Sequence, residues 1–399
     1  MSPKLRRIAH LDLPGGGQVR VHGTTAYVGH MDPPHGTTIL DVSDPAKPSV
    51  LSTLSLPDGY SHSHKVRVAG DVMIVNVEQA KRHLMRRIRS ALEKGADTSS
   101  FKPADIETAR REYGDGGFRV YDISDKRRPR LLTHVRTHGF GVHRFDMDSR
   151  YAYISTEMEG YVGNILVIYD LARPERPEEV ARWWMPGQHV AGGEKPTWPG
   201  YKNRLHHALR CGDQLWAAVW HAGLRVIDVS DIRKPRTVGA YDYHPPFPEP
   251  THTVLRVPFP VAGRQVAVGI DEEHDHVPGQ LHAGMWIFDV GDLGAIRPLA
   301  MFHVSELDSP WSRTGRFGAH QFQEHMSDTL VYATWFSGGL RIVDIADPTA
   351  PREVASYIPE PPAGFPSPQS NDVDVDERGL VYLLDRNRGL DILEYAPHG

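Results

Sequence analysis

One phrase recurs along the chain and limits what it can fold into: a β-branched run ending in Asp, a small residue, then a Pro. It reads Thr38-Ile-Leu-Asp41 to Pro48, Phe118-Arg-Val-Tyr-Asp122 to Pro129, and Val167-Ile-Tyr-Asp170 to Pro177. It returns as Arg225-Val-Ile-Asp228 to Pro235, Trp286-Ile-Phe-Asp289 to Pro298, and Arg341-Ile-Val-Asp344 to Pro351, with a degenerate copy at Leu390-Asp-Ile-Leu-Glu394. Successive aspartates are spaced by 81, 48, 58, 61 and 55 residues, and Glu394 follows Asp344 by 50. Strand-like repeats of about 40–50 residues predict propeller blades, with the longer spacings marking insertions. Within the phrase, alternating apolar residues predict a strand, Asp or Ser caps the turn after it, and Pro stops the ladder. These aspartates are therefore expected to shape turns rather than to catalyse.

Each copy is expected inside a four-strand unit. In the fourth unit the strands are predicted at residues 207–211, 214–220, 224–229 and 236–241. The last unit ends after its third strand, and the unassigned stretch at residues 5–13 supplies the missing outer one. Pairing the termini removes exposed sheet edges. The expectation is a single domain over residues 1–399, an all-β, seven-bladed β-propeller closed by the N-terminal strand, with a helical insertion in blade two. The 37 Gly and 32 Pro fit many short turns.

Two of the phrases, Leu-Arg-Ile-Val-Asp344 and Leu-Arg-Val-Ile-Asp228, resemble the LVIVD repeat of bacterial proteins thought to be propellers. That resemblance spans nearly the whole chain and implies a fold more than an activity.

Other features narrow the function class. A net charge of −5 argues against a nucleic-acid or anionic-membrane surface. No apolar run approaches the roughly 20 residues of a bilayer span. The basic start is not followed by an apolar signal segment, and the one cysteine, Cys211, fits a reducing cytoplasm as a small core-filling side chain. Neither Gly-x-Ser-x-Gly, Gly-x-Gly-x-x-Gly nor a P-loop occurs, so a serine elbow and nucleotide cofactors are not indicated.

Residues 79–115 interrupt the second blade. Leu84, Ile88 and Leu92 at i, i+4 and i+8 among Arg and Lys predict an amphipathic helix over residues 80–94. It packs on the propeller surface, covers the entrance as a lid, or makes a homo-oligomer contact. Residues 186–203 and 272–284 form two further long connections.

The 23 histidines are not spread evenly. Aligning the blades puts one at or beside the start of the inner strand in five of them: His64, His143, His206 or His207, His252 and His320. Equivalent positions on successive blades converge on one axis, so these imidazoles are expected to share a space. Three or four of them would hold one divalent metal, iron(II) first, with zinc, copper or manganese as alternatives. Acids on neighbouring loops, Glu78, Glu157 and Glu272, are candidates to orient the imidazoles through their second N–H. His30 and His221 take the matching loop places in blades one and four. Glu78, Glu157 and His221 are the candidate catalytic groups. The run from Asp271 to His276, with His282 beyond, is either a second metal site or a solvated loop.

By arrangement alone, the histidine-ringed entrance is similar to two seven-bladed groups. They are the carotenoid and stilbene cleavage oxygenases, with iron held by four histidines, and the selenium-binding/methanethiol oxidase proteins. That likeness implies an oxidoreductase acting on a small substrate, partly apolar or aromatic given Tyr60, Phe140, Trp198, Trp220, Phe317 and Trp335. A metal-dependent hydrolase or lyase is one alternative, and a non-enzymatic scaffold for protein partners is the other.

Overall fold

The computed structural model describes residues 5–199, 202–274 and 277–397. The repeated phrase forms the strands His35–Asp41, Gly117–Asp122, Ile165–Asp170, Leu224–Asp228, Met285–Asp289 and Gly339–Asp344, each ending on its aspartate. In each, Oδ1 of that aspartate accepts the backbone N–H two residues on, at 2.7–3.1 Å. This is the Asx turn that short acidic side chains favour, and it ends the ladder.

Each of these strands is third in an antiparallel unit whose strand order follows the chain. The described residues form five four-stranded sheets and one nine-stranded sheet. The larger sheet is two such units, starting at Val66–Ala69 and at His138–Met147, tied together where Gly141 pairs with Glu78, plus the two-residue strand Ser61–His62. The unit of His207–Cys211, Gln214–Ala218, Leu224–Asp228 and Arg236–Tyr241 differs from the expected bounds only at strand ends. Cys211 ends the first of these strands and is half-buried.

The N-terminal strand Leu5–Pro14 pairs antiparallel with Arg388–Tyr395, with Leu5 opposite Tyr395 and Pro14 opposite Arg388. Leu5 and Leu13 at its two ends are buried, so pairing removes apolar surface as well as a strand edge.

Apolar clusters lie between consecutive sheets. Tyr27 and Ile39 of the first unit meet Val66 and Met73 of the second. Phe317 and Trp335 of the sixth unit pack with Ile270 and Ile287 of the fifth. Leu384 and Ile392 of the last sheet pack with Val19 and Val28 of the first. Sheets packed in this way cover both faces of their second strands, which explains why Thr25–His30, Gln214–Ala218 and Leu330–Trp335 are buried almost throughout.

The insertion leaves between Val72–Gln79 and Gly117–Asp122. It forms α1 (Arg82–Glu93) and α2 (Pro103–Arg110). The second helix has only eight residues and no apolar stripe, and sequence periodicity did not reveal it. Met85 and Ile88 of α1 are buried against Ala109 of α2 and Phe140, with Leu84 and Leu92 half-buried beside them. The guanidinium groups of Arg86 and Arg89 lie 4.5 and 4.8 Å from the Phe140 ring centre. Among the described residues, no helix is long and apolar enough to cross a membrane.

Candidate functional site

His64, His143, His206, His252 and His320 come together as a chain of rings, although they stand far apart in the sequence. Their centroids follow one another at 5.4, 4.7, 4.2 and 4.4 Å. His64 and His206 stand just before the first strand of their units, His252 and His320 early in it and His143 midway along it, so successive units deliver one ring each. Burial pushes all five imidazoles well below their ordinary pKa, which makes them neutral at neutral pH.

The hydrogen bonds set the tautomers. His143 donates from Nδ1 to Glu78 Oε2 at 3.1 Å, and His206 from Nδ1 to the His252 carbonyl at 2.7 Å. His320 Nδ1 donates to the Asn371 carbonyl, and His252 Nδ1 lies 3.0 Å from Gln321 Oε1. With Nδ1 protonated, a neutral ring presents a lone pair at Nε2. His143 Nε2 and His206 Nε2 are 2.8 Å apart. Two lone pairs facing at that distance repel each other unless a cation lies beside both. Metal–imidazole bonds run at about 2.0–2.1 Å, so two ligands at right angles stand about 3 Å apart, close to this separation.

Glu272 faces the same space, with Oε2 4.0 Å from His252 Nε2 and Oε1 3.8 Å from His320 Nε2. Ligand atoms of His206, His252 and Glu272 all lie within 4.8 Å of one another. Two guanidinium groups compete for lone pairs: Arg82 Nη2 reaches His143 Nε2 at 3.2 Å, and Arg144 Nη1 reaches His252 Nε2 at 3.1 Å. Ligation by His143 or His252 displaces one such bond; among the described residues His206 and His320 carry no such competitor.

His64 differs from the other four. Its Nδ1 accepts from Asn76 Nδ2 at 3.1 Å, an amide held in that orientation by the Lys65 backbone N–H on Oδ1. The His64 proton therefore sits on Nε2, 4.0 Å from Glu78 Oε2. A second group, His62, His64 and Glu78, is also close enough for a metal. There, however, His62 Nε2 already meets Glu78 at 2.9 Å and its Nδ1 the Met31 carbonyl at 3.2 Å.

His207 does not join the ring. Strand alternation turns it away from His206, to Arg67 Nη2 at 3.4 Å and Glu324 Oε1 at 3.5 Å. Glu324 is the hub of a buried ionic network. It pairs with Arg67, with Arg144 at 3.0 Å and with Arg20 at 3.5 Å. Arg144 joins this network to the ring, since its other terminal nitrogen is the one on His252.

The acids part company as well. Glu78 takes the expected place, accepting from His143 and His62, and Arg82 Nη1 holds its other oxygen at 2.7 Å. Glu157 touches no ring histidine; it pairs with Arg86 of α1 and accepts the Phe140 N–H at 3.0 Å. His221 is also outside the ring, with Nε2 on the Pro248 carbonyl at 3.1 Å and its ring against His244. His30 is buried and satisfied by the Pro14 carbonyl and Thr38. In the run from Asp271, Tyr243 and Trp286 hold Asp271, His274 meets Glu272 at 3.1 Å, and Glu273 pairs with His282. Asp275 and His276 lie outside the described residues.

Three stretches, residues 16–54, 211–243 and 327–358, match the LVIVD repeat. In solved structures, the chain aligns with the WD40 repeats of RRP9 at 10% identity and TM-score 0.59, over 98% of this chain and 97% of that one. The C-terminal WD40 domain of Sif2 aligns at 10% identity and TM-score 0.57, over 98% of both chains. The chain is a β-propeller carrying LVIVD repeats. A chain of the mitotic checkpoint complex aligns too, at 10% identity and TM-score 0.60, over 97% of the propeller and 93% of that chain. These likenesses concern the fold alone. Among curated proteins nothing matches the sequence.

The propeller's histidines open into a cavity of about 590 Å³. His64, His143, His252 and His320 line it, as do His83 and Met85 of α1 and Thr108 of α2, which places the insertion against the site. Of the aromatics singled out in the sequence, Tyr60 lines the cavity. Trp220 stacks with His83 at 6.3 Å, with Arg204 3.5 Å above its ring. Phe317 and Trp335 are core residues, Phe140 packs under α1, and Trp198 packs between the third and fourth units. Arg82, Lys65 and Arg386, which also line the cavity, escaped the sequence reading because that search followed imidazoles and acids at one repeat position.

Proposed function

We propose that the chain is a seven-bladed propeller closed by its N-terminal strand, and that its histidine ring holds one divalent metal ion in a metal-dependent oxidoreductase. Packing of each sheet on the next, last on first, and pairing of the two terminal strands support the closed ring. The observation that carries the metal centre is the facing pair of Nε2 atoms on His143 and His206, with both Nδ1 protons committed elsewhere.

His143, His206, His252 and His320 are the ligands, Glu272 stands beside them, and His64 is a neighbour rather than a ligand. Neutral imidazoles suit iron(II), zinc and copper; iron(II) bound here supplies dioxygen chemistry. The protein's own part is physical. Glu78 fixes the His143 tautomer, Gln321 holds His252 through Nδ1, and the insertion excludes bulk water over the cavity. Tyr60, Met31, Leu84 and Met85 give the cavity an apolar wall that suits a small organic substrate.

Zinc at the same centre would instead activate water for hydrolysis or elimination. A scaffold for protein partners is the reading that the WD40 neighbours favour, but it gives no reason for a chain of buried imidazoles in which the Nε2 atoms of His143 and His206 face each other. Oxygen uptake with a panel of small aromatic compounds, on protein loaded anaerobically with iron(II) or with zinc, separates these readings. Iron-dependent uptake is expected. Turnover restored by zinc without oxygen would move the assignment to the hydrolase class.

A further inference from the structure

The histidine chain is open between His320 and His64, where the seventh and first units meet. Asn371 and Gly17 stand there in place of imidazoles. Asn371 Nδ2 donates to the Gly17 carbonyl at 2.9 Å, and Lys65 Nζ donates to the same carbonyl at 2.8 Å. Arg386 Nη1 donates to Asn371 Oδ1 at 3.1 Å. His320 is tied to this chain through the Asn371 carbonyl. Gly17 packs so closely that a Cβ would fall 2.6 Å from that of His64.

Lys65 and Arg386 both line the cavity, yet neither has a carboxylate within 4.0 Å among the described residues. Lys65 is only 4% exposed. Burial, with Arg144 and Arg386 close by, pushes Lys65 well below its ordinary pKa although Asp372 and Glu324 pull the other way, so positive charge is crowded here and an anion seated between the two cations would relieve it. Burial and the nearby Arg316 lower the Arg386 pKa to about 10, which still leaves it charged at neutral pH. Of the four acids that line the cavity, Glu78 pairs with Arg82, Glu272 with His274 and Arg316, and Asp105 with Lys81, while Asp32 acts on Arg386 through space.

We propose that Lys65 and Arg386 form an anion subsite that fills the gap in the histidine ring and binds the carboxylate of a small organic acid. The planar guanidinium matches a carboxylate, and the four acids in the same cavity disfavour a phosphate dianion more than a single negative charge. A carboxylate seated here puts the carbon it is attached to beside His320 and His64, at the edge of the candidate metal centre. Its role as the substrate's anchor rests on the proposed function; the anion subsite itself does not.

The test is calorimetric titration of the whole chain with benzoate, with its neutral isostere benzamide and with inorganic phosphate, alongside metal analysis of the same samples. Benzoate is expected to bind at least tenfold more tightly than benzamide and than phosphate. Arg386→Gln should abolish the preference for benzoate over benzamide, and Lys65→Met should weaken benzoate at least tenfold. Equal affinity for benzoate and benzamide, tighter phosphate, or a preference unchanged in Arg386→Gln would overturn the subsite. The wild-type comparison needs no variant, so a misfolded mutant does not rescue the idea. Selective benzoate binding to protein that takes up no metal removes the metal reading alone; metal uptake without that selectivity removes the subsite alone.

Discussion

His143 Nε2 and His206 Nε2 stand 2.8 Å apart, and each ring has already given its Nδ1 proton to an acceptor, Glu78 or the His252 carbonyl. A proton shared between them would require an imidazolium, which burial disfavours for both. A metal ion bound beside both would remove the repulsion.

Glu78 and Glu157 should separate in experiment. Glu78 accepts the His143 N–H, so Glu78→Gln should weaken metal binding by roughly 10–100-fold. Glu157 is paired with Arg86 instead, and Glu157→Gln should leave metal affinity within about twofold while loosening α1. Competition with a chelator reads both. Equal effects would remove the distinction.

Glu324→Ala should destabilise the fold by about 3–5 kcal/mol in denaturant unfolding, because it leaves Arg67 and Arg144 buried without their partner. A loss below 1 kcal/mol would mean that the network is solvated.

A chain lacking residues 1–13 should lose at least about 3 kcal/mol, since burial of Leu5 and Leu13 alone accounts for roughly 1.5–3 kcal/mol each and a strand edge is exposed besides. An unchanged melting temperature would contradict closure through the N-terminal strand.

His282 gives a pH signature. Hydrogen bonds to Glu273 and Glu306 raise its pKa to about 9 against the partial burial that opposes them. A folded pKa above the unfolded 6.5 means stabilisation that is full below pH 6.5 and lost as pH rises through 9. The melting-temperature difference between wild type and His282→Gln should therefore shrink between pH 6.5 and 9.5. A constant difference would show that the contact is not ionic.

The fold was legible because the repeated phrase encodes strand, Asx turn and stop together, and six aspartates make the turn it predicts. The histidine set was legible because one repeat position delivers one side chain to a shared space. Two things were not. Periodicity cannot say whether His206 or His207 turns inward, since that depends on where the strand ladder begins. Nor does local sequence show that Arg86 reaches from the insertion to Glu157, or that Lys65 and Arg386, 321 residues apart in the chain, line one cavity.

Metal stoichiometry tests the central claim most directly. Protein purified without a histidine tag should carry close to one divalent ion per chain. His206→Ala and His320→Ala, whose lone pairs have no arginine competitor among the described residues, should abolish it, and His143→Ala and His252→Ala should lower it strongly. His64→Ala should retain it, and circular dichroism should show all five variants folded. Wild-type protein with no metal, or a stoichiometry that none of the five substitutions changes, would contradict the account and leave the ring a structural feature.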